Sequence, residues 1–160
     1  MPNVVTTVPA VLTKLVQLGT ATLAAQNITA WLGPAPAGEL GDYLSIGFSR
    51  DEDEAGVDGT TTDDGNRISS ESYTVHCLLS LATGDVDPAA VAALLARADT
   101  AWTAWAGALR GDPTLGGVLT AGGMAVAGSW SWVFGPSAEG GVYAEVDHDV
   151  EVSAGYLGAA

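Results

Sequence analysis

The chain has 160 residues, 48% of them hydrophobic and 15% charged, and its 19 acids against five Lys and Arg leave a formal net charge of −14. One domain of this length can bury roughly 70% of the surface its unfolded chain exposes, so a single core is within reach. The cations Lys14, Arg50, Arg67, Arg97 and Arg110 are too few and too scattered to grip nucleic-acid phosphates or an anionic membrane surface, and the apolar share is too high for disorder throughout.

Cys77 is the one cysteine, which excludes an internal disulfide and a cysteine-based zinc site. Met1 to Thr7 has no basic leader, Lys14 interrupts the next apolar stretch, and no 18 apolar residues run together. The expectation is a soluble chain made in a cytoplasm, with no membrane span.

Taken in chain order, Val8 to about Ala25 carries apolar residues at helical spacing, with Thr7 placed to cap and Pro9 in the first turn. Ile28 to Leu32 is a short predicted strand that stops at the Gly and Pro residues from Gly33 to Gly38, and Tyr43 to Phe48 is a second. Arg50 to Asn66 is then expected to be one long acidic loop of 17 residues. It carries the acids Asp51, Glu52, Asp53, Glu54, Asp58, Asp63 and Asp64, three consecutive Thr and almost nothing apolar. A loop beyond about 12 to 15 residues in a compact domain is usually functional or disordered.

Ile68 to Leu81 alternates as the strongest strand, with Tyr73, Val75, Cys77, Leu79 and Leu81 on one face. Asp87-Pro88 opens a second helix, apolar at Val91, Leu94, Leu95, Ala98, Trp102, Trp105 and Leu109 and stopped near Gly111. Leu115 to Leu119, Met124 to Phe134 and Val142 to about Val152 complete the predicted strands, the last two as a hairpin. The fold class is therefore α+β: one domain over 1–160, with a mostly antiparallel sheet of about four to six strands and two helices on one face.

Candidate chemistry is sparse. Asp51-Glu52-Asp53 begins like a calcium loop, but Ala55 stands at the third ligand position and Thr62 where the closing Glu belongs. His76 and His148 lie within strands and lack a nucleophile elbow, and Cys77 alternates onto an apolar face, so neither a catalytic nor a cofactor site is expected. The glycines match no phosphate-binding loop. Trp102 and Trp105 read as core, whereas Trp130, Trp132 and Phe134 share a strand face that is either a seam under the helices or a surface for a neighbour. The sharpest anomaly is the last strand, where Glu145, Asp147, Asp149 and Glu151 stand on one face at about 7 Å spacing and are expected to look at water.

The N-terminal helix, the acidic excursion, the strand Tyr73 to Leu79, the Asp87-Pro88 helix with its Trp-rich end, and the segments Gly128 to Trp132 and Gly140 to Asp147 form one pattern. Together they resemble tail terminator (tail completion) proteins of long-tailed phages infecting actinobacteria. The resemblance implies a virion structural protein without enzymatic activity. Such proteins form a ring, usually of six copies, at the head-proximal end of the tail tube, where they end tube growth, meet the tail tube and head-tail connector proteins, and let DNA pass through during ejection.

In that setting Glu145, Asp147, Asp149 and Glu151 are expected to face the ring lumen and repel passing DNA. The acids from Asp51 to Asp64 are expected to lie on an arm that contacts a partner. Another neck protein or a tail tube subunit remains as an alternative, as does a small ligand-binding or hydrolase domain, which would need a pocket gathering His76 or His148 with carboxylates.

Overall fold

Both periodic segments are helices in the computed structural model, which describes residues 6–36, 41–51, 53–63, 68–120 and 122–157. Helix α1 spans Val8–Leu23 and continues into a 3-10 turn at Ala24–Gln26, and α2 spans Pro88–Gly111. The strands are β1 (Thr29–Leu32), β2 (Tyr43–Ile46), β3 (Val57–Asp63), β4 (Ile68–Thr83), β5 (Met124–Pro136) and β6 (Val142–Leu157). They form one six-stranded sheet in the order β1-β2-β4-β6-β5, with β3 also paired to β4. Only β1 and β2 run parallel among these pairs. The expected α+β class, mostly antiparallel sheet and two helices are all present.

Two elements differ from expectation. Residues 50–66 are not one loop, because Val57–Asp63 forms β3 and pairs with Ser69 to Val75 of β4. This strand escapes a hydrophobic-period search because Asp58, Gly59, Thr60, Thr61 and Thr62 are all exposed, and its signal is the β-branched Thr run. Gly59 is required there by space: a Cβ on it would lie 2.3 Å from that of Tyr73. The stretch Leu115 to Leu119 is a series of turns instead of a strand, with Leu115 at φ 52 and Gly116 and Gly117 also left-handed. Leu115 and Leu119 are nevertheless buried, so this corner plugs the core without joining the sheet.

The core lies between the helices and one sheet face. Val11, Leu15 and Leu23 of α1 and Leu94, Ala98, Trp105 and Leu109 of α2 meet Val75, Cys77, Leu79, Val146, Val150 and Val152. At Gly19 a Cβ would fall 2.9 Å from Leu44 Cδ2, so glycine lets α1 lie close on the sheet. By length and composition, Val8–Gln26 would suffice to cross a membrane even with Lys14 within it. Here its buried side belongs to the shared core.

Helix starts follow their cues in two ways. Asp87 caps α2 directly, its carboxylate accepting from the Ala89 N–H at 3.2 Å. Thr7 stands at the N-cap of α1 but turns its hydroxyl away. Its hydroxyl donates to the buried carboxylate of Glu71 at 2.7 Å and its N–H does so at 2.9 Å, and the Thr6 hydroxyl donates to the other oxygen. A carboxylate from β4 thus supplies the negative charge and acceptors that a helix N-terminus lacks.

Candidate functional site

The face of the sheet away from the helices carries the polar chemistry. Pairing of β4 with β6 sets three successive rows on it: His76 opposite Asp149, Leu78 opposite Asp147, and Ser80 opposite Glu145. The four acids of β6 do share this face, as expected. They do not form the bare wall that alternation alone suggested, because Glu145 is 6% exposed, Asp147 and Asp149 are half-buried, and of the four Glu151 alone is exposed.

The segment that links β2 to β3 reaches this face through Arg50, at Glu145, and Glu54, at His76. Its ends pinch together on the His76 backbone: the Gly47 and Phe48 N–H groups both donate to the His76 carbonyl, at 2.8 and 3.0 Å, and the His76 N–H donates to the Gly56 carbonyl at 2.9 Å. Gly47 adopts φ 76, and a Cβ on Gly56 would stand 2.1 Å from the Gly47 carbonyl oxygen. Between these glycines the chain forms a small closed loop, held internally by Ser49 donating to Glu54 at 2.6 Å and by the Glu54 N–H on the Asp51 carbonyl at 3.0 Å. Arg50 reaches across the sheet to pair with Glu145, which also accepts from the Ser80 hydroxyl at 3.2 Å. Beside this flank Ser45, the register neighbour of Leu78, has a buried hydroxyl with no hydrogen-bond partner among the described residues.

His76 sits at the centre with its side chain 7% exposed. Its Nδ1 lies 2.7 Å from Asp149, and its Nε2 lies 3.2 Å from Asp58 and 3.4 Å from Glu54. A neutral imidazole has one N–H and one lone pair, so only the imidazolium can donate to carboxylates on both sides. Burial pushes its pKa down, but the Asp58 hydrogen bond and the charges of Asp149 and Glu54 outweigh that, and the net direction is upward. Asp147 is raised by burial and by Glu54 and Asp149, against the opposing pull of His76 and Arg50.

His148 has the opposite environment. On the helix side of β6 it accepts from the Trp105 indole N–H at Nε2, 2.9 Å, and its Nδ1 donates to the Val146 carbonyl at 3.1 Å. Trp102 packs edge-on at 4.7 Å. Burial lowers its pKa to about 4, so it is a neutral core residue. Cys77 is fully buried and its thiol is pushed up to about 12 by that burial, as befits a core side chain.

The loop acids are split by the structure. Glu54 and Asp58 join His76, Asp51 and Asp53 are exposed with the first accepting the N–H of the second at 3.0 Å, and Asp63 closes β3. Glu52 and Asp64 lie outside the described residues. Among the described residues no three His, Cys, Asp or Glu are arranged to hold a metal ion. The centre of the acidic group is filled by the imidazole ring instead.

Trp105 is fully buried and Trp102 packs against the same core, as expected. On β5 the aromatic row divides. Trp132 packs against the core, while Trp130 and Phe134 are 60% and 61% exposed. A β-bulge between Ala127 and Trp130, at Gly128-Ser129, lets Ala125 and Ala127 share a face with Trp130, Trp132 and Phe134. Met124, Val126 and Val133 are exposed on the other face, so this edge strand shows apolar side chains on both sides.

No protein-family model matches the chain, and no curated protein matches it.

Proposed function

We propose that this protein is a virion structural subunit of the tail terminator kind, assembling as a ring on the head-proximal end of a phage tail tube. The observation that carries assembly is β5. It is a 13-residue strand at the end of the sheet order, it exposes Met124, Val126, Trp130, Val133 and Phe134, and it contains no charged residue. An exposed, apolar edge strand is a template for another chain unless covered. In a chain of net charge −14, an uncharged edge is also where a second copy can approach with the least repulsion. A ring needs heterologous contacts, with one surface meeting a different surface of the next subunit.

In this proposal the helix-free face, with Asp147, Asp149 and Glu151, lines the channel and repels the DNA that passes; Glu145 takes part less, being held by Arg50. The protein is non-enzymatic, carries no cofactor, and meets the tail tube and the neck of the head through the two ring faces. Its place is the virion, after synthesis in the host cytoplasm.

The test is electron microscopy and light scattering on purified protein, alone and with tail tubes. Closed rings that bind one tube end, and loss of rings in Trp130→Ser/Phe134→Ser with far-UV CD unchanged, are the expected results. Open stacks from the protein alone would assign it to the tube instead. A monomer at every concentration that ignores tubes would refute the proposal, and rings with β6 carboxylates on the outer rim would refute the channel lining.

A further inference from the structure

Residues 47–56 have the parts of a hinged strap. Gly47 and Gly56 hold its two ends together on the His76 backbone, and two side-chain clasps hold its body down: Arg50 on Glu145, and Glu54 on His76. The clasps are two rows apart on the sheet, and the row between them is Leu78 and Asp147. Leu78, in that middle row, is 2% exposed on the face that no helix covers.

The two clasps differ in kind. The Arg50 guanidinium keeps its charge at any relevant pH. The His76 clasp exists in this form only while the ring carries both protons, because carboxylates from three separate elements face its two nitrogens: Glu54 from the strap, Asp58 from β3 and Asp149 from β6. Asp147 stands close by, close enough for Glu54 and Asp149 to raise its pKa. Removing the ring proton leaves a lone pair against a carboxylate and four acids with Arg50 as the cation linking strap to sheet.

We propose that the strap 47–56 is a pH-sensitive cover, closed on the helix-free face by cationic His76 and released from its His76 clasp when His76 becomes neutral, which frees the acidic group around Asp149. The upward direction of the His76 pKa places release on the alkaline side of the ordinary histidine range of about 6.5. This device belongs to the single subunit and stands or falls separately from ring formation.

Amide hydrogen exchange read by mass spectrometry, with the intrinsic base-catalysed rate divided out, tests it. The peptide covering 47–56 should be protected at about pH 6 and lose at least about tenfold of that protection by about pH 9, with α2 unchanged. His76→Gln, which cannot carry the charge, should leave the strap unprotected at both values. Asp58→Asn removes one partner while keeping the ring, and should move the release midpoint to lower pH; it serves as the second variant if His76→Gln does not fold. Equal strap protection at both pH values in the unmodified protein would overturn the proposal, as would imidazole NMR signals showing His76 neutral at about pH 6.

Discussion

Acid should destabilise this protein through one core residue, His148. Its ring is 1% exposed and its Nε2 lone pair is committed to the Trp105 indole N–H at 2.9 Å. Protonation therefore sets two donors against each other and places a charge among Trp102, Trp105 and the apolar core. In the unfolded chain the ring titrates near 6.5, and in the folded chain burial holds it near 4. Between these values the unfolded state binds a proton that the folded state refuses, so stability falls as pH falls. The contribution is present in full above about pH 6.5 and is lost progressively down to about 4, for a total of about 3 kcal/mol.

Urea unfolding of the native protein and of His148→Gln, at about pH 7 and about pH 4.5, isolates this effect from the carboxylates that titrate in both proteins. The native protein should lose about 2 kcal/mol more than the variant over that interval. An NMR titration of the His148 ring in the folded state should show a midpoint well below that of a free histidine. A midpoint near 6.5, or equal acid losses in the two proteins, would refute the reasoning. His76 contributes with the opposite sign: its stabilisation is complete below about 6.5 and is lost as pH rises through its raised folded value.

Two further substitutions probe the packing that positions the sheet. Gly19→Ala gains up to about 1 kcal/mol of helix propensity but drives a methyl against Leu44 and Ala30, both buried, so the net effect should be a loss of about 1–2 kcal/mol in thermal or urea unfolding; a Tm equal to or above that of the parent would contradict the close approach of α1. Glu71→Ala strips the acceptors from Thr6 and Thr7 at the start of α1 and should cost about 1–3 kcal/mol, with the amides of the first turn losing exchange protection before the rest of the helix. Unchanged protection there would show that the carboxylate does not anchor the helix.

Both helices were legible because their apolar spacing, and for α2 the Asp87-Pro88 start, are local properties of the chain. The alternation of β6 likewise assigns its acids to one face without any knowledge of what lies above them. β3 and the turns at Leu115 to Leu119 are not legible in the sequence because their conformations are set by neighbours. β3 is ordered by the exposed edge of β4 and needs no apolar face of its own, and Leu115 is buried through a left-handed turn that the strand pattern does not encode.

The candidate site follows the same division. The sequence alone determines that the chain is strongly acidic, that β6 carries four acids at alternate positions, that β5 is free of charge, and that His76 and His148 sit on strands of opposite parity relative to the core. It does not determine which acid ends near which cation, because Glu54, Asp58 and Asp149 come from three elements far apart in the chain and Arg50 meets Glu145 only once the strap has folded back. Tertiary structure therefore decided that one histidine is ringed by carboxylates, which raise its pKa, and the other is a neutral acceptor inside the core. The physical reason is that a side chain's charge state follows from the groups packed around it and the water excluded from it, and neither is written in its own segment of sequence.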